Sequence, residues 1–214
     1  MKYSLCMVFS LASVLPATAA KKLEFTFAGV PVTAGATVRA NVPLDATEKS
    51  YAAEAGNPVP ANALPRTDTS GWRAGMTLAA LDALHRGFPG SNKWPVACAG
   101  YSGGAKRAGL LTPLLALSGC RIIGLFLTGI NVDRLSDGYR QFKPGSGFLR
   151  TPIFVSSGAN DNVATSPQQW QVKLSMERTG FSRVRLETFP QGHNVKLAHV
   201  REALRWFRQL QTAN

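Results

Sequence analysis

From residue 70 to the end of the chain, segments in which apolar residues recur every three to four positions alternate with short, nearly unbroken apolar runs. The first periodic segment follows the helix caps of Thr67-Asp68-Thr69-Ser70. Trp72, Met76, Ala79, Ala80, Ala83 and Leu84 then mark one helical face, which Gly87, Pro89 and Gly90 close. Pro95 to Ala99 is an apolar run of strand length, and Ala105, Ala108, Leu111, Leu114 and Leu115 return to helical spacing up to Gly119, with Pro113 placed to kink or shorten that helix. Arg121 to Ile130 reads as a parallel strand buried on both faces. Pro152 to Val155 predicts the next strand, Ser166 to Arg178 a helix, and the alternation of Val184, Leu186 and Thr188 a further strand. Leu197, Val200, Leu204, Phe207 and Leu210 then line a final helix.

This order of strands and helices predicts an α/β fold, a mostly parallel sheet flanked by helices on both faces and joined by right-handed crossovers. Upstream the pattern differs. Leu23 to Val30 alternates, and after Pro31 and Gly35 a second β-like run covers Ala36 to Leu44, so two antiparallel strands are expected to open the sheet. Residues 45–70 carry Pro58, Pro60 and Pro65 with no clear period and read as a long loop. Asn131 to Arg150 is an excursion between two strands, with Asp133, Asp137, Tyr139, Phe142 and a Lys143-Pro144-Gly145 turn, expected to form a short helical flap.

Chemistry enters at the corner between the first parallel strand and its helix, where Gly100-Tyr101-Ser102-Gly103-Gly104 fits G-x-S-x-G. Small residues on either side let the backbone turn sharply, holding the serine oxygen beyond the end of the sheet, while the Gly103 N–H points to where an oxyanion forms. A glycine-rich turn alone also satisfies this pattern. Two further residues fall just past strand carboxyl ends, where reactive groups of parallel sheets gather: Asp161, in Ser157-Gly158-Ala159-Asn160-Asp161, and His193, in Gln191-Gly192-His193. Taken singly, Asp161 also reads as a helix cap and His193 as part of a strand-end turn.

In this order, Ser102, Asp161 and His193 on three successive late loops, residues 70–214 resemble the α/β-hydrolase fold family. The resemblance implies a serine hydrolase acting on small-molecule or polymeric carboxylic esters without a cofactor: Ser102 as nucleophile, His193 as general base, and Asp161 orienting the imidazole. It implies Gly103 as one oxyanion donor. Asp133 is the reserve acid, since some members place it after the preceding strand. The family's usual strand and loop for the second oxyanion donor, often with an H-G or H-G-G-G signature, has no counterpart in residues 45–70, which implies a sheet with fewer strands than usual. A thioesterase, lactonase or peptidase fits the same residues. From another class, a catalytically impaired envelope protein that binds anionic partners fits the missing loop. Tyr101, Tyr139, Phe142 and Trp170 are candidates to wall an apolar pocket, or ordinary packing residues.

Composition locates and narrows. The chain of 214 residues opens with Lys2, an apolar stretch shorter than the roughly 20 residues that span a bilayer, and an Ala17-Thr18-Ala19 site. Residues 1–19 therefore read as a signal peptide, leaving residues 20–214 as one α/β domain, secreted or periplasmic. No later segment is long and apolar enough to span a membrane. The net charge of +12, less Lys2, leaves +11, but the basic residues are scattered and include helix positions expected to face water, such as Arg201, Arg205 and Arg208. No basic and aromatic track for nucleic acid is present, so a solvated basic surface is expected. Of the 3 cysteines, Cys6 leaves with the leader. Cys98 and Cys120 are offset by three or four residues of rise in the expected register, too far for a disulfide, and read as core residues. Scattered His85, His193 and His199 supply no metal-ligand spacing; His85 and His199 lie within helices and are expected to pack or face solvent. Gly100 to Gly104 fits no phosphate-binding loop.

Overall fold

The computed structural model describes residues 6–10, 19–27, 30–38, 70–87 and 90–212, and residues 45–69 of the long loop read from the sequence lie outside it. Backbone contacts divide the chain into two compact units, Met1–Tyr3 with Ser10–Trp94, and Ser4–Phe9 with Pro95–Asn214. In the first unit, β2 (Ala19–Phe27) and β3 (Val30–Val38) pair antiparallel in a sheet of their own, Phe27 opposite Val30. The second run thus begins at Val30, ahead of the expected Ala36. Pro31, expected to separate the strands, opposes Thr26 near the strand's start, where its lost N–H costs little. The hairpin also does not open the parallel sheet. Helix α1 (Ser70–Gly87) ends near Gly87 as its closing residues foretold, with Leu81 buried and an i,i+4 ion pair between Arg86 and Asp82.

The second unit carries the parallel sheet. Its strands are β1 (Cys6–Ser10), β4 (Pro95–Tyr101), β5 (Arg121–Thr128), β6 (Ile153–Gly158) and β7 (Val184–Phe189), in the order β1-β4-β5-β6-β7. β4, β5, β6 and β7 are successively parallel. The inner strands are nearly apolar because they are covered: β6 is buried at every position, and Leu125, Leu127, Ile153 and Val155 are fully enclosed, whereas edge strand β7 alternates polar and apolar residues and buries only Phe189. The fold class is therefore α/β, with a mostly parallel sheet of few strands. β1 comes from residues 1–19; cleavage after Ala19 would remove it and make β4 an edge strand.

Strands added in one direction with right-handed crossovers put their connecting helices on a single face. Those helices are α2 (Gly103–Leu117), α3 (Arg134–Phe142) and α4 (Ser166–Thr179). α5 (Leu197–Thr212) closes the other face: Trp206 and His199 stand edge-on to Phe154 of β6. Pro113 lies inside α2, which runs on unbroken to Leu117. The 131–150 excursion packs onto α2, with Gly138 backed against the Leu110 carbonyl. Tyr139 joins Phe148 and Phe181 in an aromatic cluster at centroid separations of 5.8 to 6.3 Å. Tyr139 is thus taken up by packing in this cluster. Cys98 and Cys120 are free: Cys98 opposes Leu125, whereas Cys120 precedes the Arg121–Pro95 pair, so the register keeps the sulfurs apart. Burial pushes the Cys98 thiol up to about 12, as expected of a core hydrophobe.

Candidate active site

At Ser102 the backbone leaves β4 and enters α2 with φ 56° and ψ −121°, a region that residues bearing a Cβ rarely occupy. Three features hold it there. The Ser102 N–H donates to the Thr128 carbonyl of β5 at 2.8 Å, its own carbonyl accepts from Ala105 N–H at 3.0 Å, and Gly100 lets strand and helix meet. A methyl group at Gly100 would lie 2.3 Å from the Gly104 carbonyl oxygen. Gly100→Ala is accordingly expected to destabilise the fold by about 3 kcal/mol, measured by denaturant unfolding. Gly103 is the first residue of α2, so its N–H has no partner within the helix and sits at the positive end of the helix dipole.

The acid and the imidazole meet. Asp161 follows β6, is 5% exposed, and divides its two oxygens: Oδ1 accepts from the N–H groups of Val163 and Ala164, each at 2.8 Å, and Oδ2 lies 2.7 Å from His193 Nδ1. Asp161 is thus both the helix-approach cap and the partner of the histidine. Burial pushes its carboxyl up, but the Ala164 N–H, the His193 ring and the Val163 N–H outweigh it, holding the group below the usual carboxylate range. An ionised acid accepts only, so Nδ1 carries the proton and Nε2 is left as the basic nitrogen.

The His193 loop is fastened to several strands. Tyr101 donates its hydroxyl to the His193 carbonyl at 2.8 Å, with the two rings 4.8 Å apart; Thr128 Oγ1 donates to the Asn194 carbonyl at 3.3 Å, and Asn160 N–H donates to the Gln191 carbonyl at 3.0 Å. Gly129, beside the residue that holds the Ser102 N–H, is the floor under the imidazole: a methyl there would lie 2.7 Å from His193 Cε1. Elbow and imidazole therefore share Tyr101, Thr128 and Gly129 as neighbours. Among the described residues the Ser102 hydroxyl forms no hydrogen bond with the ring. In unliganded sites that contact is often long and tightens with substrate.

Asp133, the reserve acid, is engaged elsewhere: Oδ1 accepts from Ser136 N–H to cap α3, and Oδ2 accepts from the Ser175 hydroxyl at 2.7 Å. His199 is buried, its Nδ1 2.8 Å from Ser156 Oγ. His85 is half-buried on α1. Burial and then Lys196 push the His199 imidazole down, with Arg185 adding to them against the pull of Glu202 and Glu187. A histidine more acidic in the folded than in the unfolded chain contributes stability above the unfolded value of about 6.5. That contribution is lost as pH falls from there toward the folded value. A plot of unfolding free energy against pH is expected to slope down below about pH 6.5 and to flatten there in His199→Gln.

Tyr101 as tether and Thr128 and Gly129 as floor were not legible as site residues, because a tyrosine hydroxyl's partner depends on which loop the fold brings over it. Trp170 is 48% exposed with the Lys173 ammonium over its ring at 5.0 Å. Among the described residues, no group of three His, Cys, Asp or Glu side chains is placed to hold a metal, and no helix is long and apolar enough to cross a membrane.

No family model and no curated protein matches the chain. Among solved structures it is similar to Arabidopsis thaliana SOBER1 (16% identity, 72% of this chain, 67% of that one, TM-score 0.49). It is also similar to a Bacillus cereus carboxylesterase (20%, 65% and 61%, TM-score 0.47) and Zea mays acyl-protein thioesterase 2 (17%, 90% and 78%, TM-score 0.49).

Proposed function

We propose that the protein is a serine hydrolase that cleaves carboxylic esters through an acyl-enzyme on Ser102. The observation that supports this reading is the Asp161–His193 hydrogen bond over Gly129, the residue after the Thr128 whose carbonyl holds the N–H of Ser102, itself at φ 56° on a strand-to-helix corner. In the proposed first step, Ser102 Oγ attacks the carbonyl carbon and its proton passes to His193 Nε2. The negative charge developing on the carbonyl oxygen is met by the Gly103 N–H. As the tetrahedral intermediate collapses, the carbon–oxygen bond to the alcohol breaks and His193 returns the proton to the departing oxygen. Water then enters by the same route in reverse, deprotonated by His193, and releases the acid and free Ser102. Throughout, Asp161 stabilises the imidazolium without taking its proton.

Ester and thioester carbonyls present the same geometry to this site; His193 supplies the proton that a departing alkoxide needs, which lets the site act on alcohol esters, while a thiolate can leave without it. Hydrolysis of a short-chain nitrophenyl ester tests the reading. Wild-type protein is expected to exceed Ser102→Ala and His193→Ala by several orders of magnitude, and equal rates in all three would end it.

Export belongs to the same proposal. N-terminal sequencing of protein recovered outside the cytoplasm is expected to start at Ala20, and a chain beginning at Met1 would contradict the leader reading of residues 1–19.

A further inference from the structure

The loop that grips Asp161 is itself held by two amide side chains that take no part in the proposed chemistry. Val163 and Ala164 turn their N–H groups inward to Asp161 Oδ1. In a trans peptide the carbonyl points opposite to the following N–H, so the Val163 carbonyl, which shares its peptide with the Ala164 N–H, faces away from the carboxylate. There it accepts from Asn131 Nδ2 at 3.1 Å, and the Ala164 carbonyl accepts from Gln169 Nε2 of α4 at 2.6 Å. The next N–H, that of Thr165, is taken by Gln168 Oε1 at 2.9 Å. Asn131 also ends a short run after β5 that reaches all three loops of the site. Thr128 holds the Ser102 N–H and the Asn194 carbonyl, and Gly129 underlies the imidazole.

Both amides serve as donors only. Asn131 Oδ1 and Gln169 Oε1 are shut off from solvent and have no hydrogen-bond partner among the described residues. An acceptor buried without a partner costs stability that an apolar side chain of the same size does not. Two such groups are nevertheless retained, and what they share is the segment that holds Asp161.

We infer that Asn131 and Gln169 are positioning residues for Asp161: they fix the Val163–Ala164 segment so that Oδ1 stays gripped and Oδ2 stays turned to His193 Nδ1. Donation to the Val163 carbonyl polarises its peptide and strengthens the bond from the Ala164 N–H to Oδ1. Burial raises the Asp161 carboxyl, and that N–H is foremost among the contacts that bring it down. Without either amide the segment keeps its covalent place but loses the hold that aims it, and the imidazole loses a fixed partner.

The inference rests on Asp161 and His193 serving Ser102 in ester hydrolysis, and the experiment keeps the two apart. Asn131→Leu and Gln169→Met keep the size of the side chain and remove the donor. Each is expected to lower kcat on a short-chain nitrophenyl ester by about ten- to a hundredfold with KM little changed. Proton NMR of Ser102→Ala protein reads the same effect without turnover. There the His193 Nδ1–H, bonded to Asp161, is expected to give a downfield resonance that broadens or moves upfield when either substitution is added. A resonance unmoved by both substitutions would overturn the inference, whatever happens to kcat or to the melting temperature, because the amides would then be ordinary loop packing. Should Asn131→Leu fail to fold, Gln169→Met decides on its own. Absence of hydrolysis by the wild-type protein would instead sink the functional reading, and the resonance would still decide whether the amides hold Asp161.

Discussion

Replacing Ser102 with alanine is expected to lower kcat/KM by about a millionfold, and replacing it with glycine is expected to do the same while making the protein more stable. The two variants separate chemistry from strain. Both remove the hydroxyl, but alanine keeps the Cβ in a conformation, φ 56° and ψ −121°, that costs about 1–3 kcal/mol for any residue bearing one. Glycine relieves that cost, less its greater freedom in the unfolded chain. Thermal melts of the three proteins are the check: Ser102→Gly should melt above Ser102→Ala by about 2–4 °C per kcal/mol relieved. Equal melting of the glycine and alanine variants would mean that the corner stores no strain, and the argument that the fold holds the hydroxyl out at a cost would fail.

Asp161→Asn is expected to reduce kcat about 10⁴-fold with the fold intact. The direction follows from the two N–H groups on Oδ1. Val163 and Ala164 both donate there, so the asparagine oxygen is held toward them and its NH2 group faces His193 Nδ1. Nδ1 must then accept, the ring proton moves to Nε2, and the nitrogen that should take the serine proton already carries one. The same substitution changes acid stability in a defined sense. The Asp161 carboxyl is held below its unfolded range, so it contributes stability above an unfolded value of about 3.9 and loses it as pH falls through the folded one. Asp161→Asn should therefore unfold with a shallower acid slope than wild type. NMR of the ring nitrogens would show the tautomer change directly.

The elements from residue 95 onward were legible because each has a period that only one structure satisfies: apolar runs of strand length buried on both faces, and helices with a single apolar stripe. The three candidate residues were legible for a related reason. A parallel sheet places its strand ends on one side, so Ser102, Asp161 and His193 were readable as candidates on that side, and of these the fold joins Asp161 to His193 by a hydrogen bond. What the residues did not reveal depends on partners chosen by the fold. Asp133 and Asp161 both follow strands, and only the position of the His193 loop over Gly129 makes Asp161 the one that pairs. The apolar run bounds the strand at Val155, yet β7 pairing extends β6 through Ser156, Ser157 and Gly158. Tyr139 fitted a pocket wall or ordinary packing equally well, and the fold turns it to Phe148 and Phe181.

Treatment of the whole protein with a fluorophosphonate, followed by peptide mapping, tests the account at its centre. A single adduct on the peptide containing Ser102, formed by wild-type protein and lost in His193→Ala, is the expected result. Labelling that is absent in wild type, or that proceeds as fast without the imidazole, would contradict it.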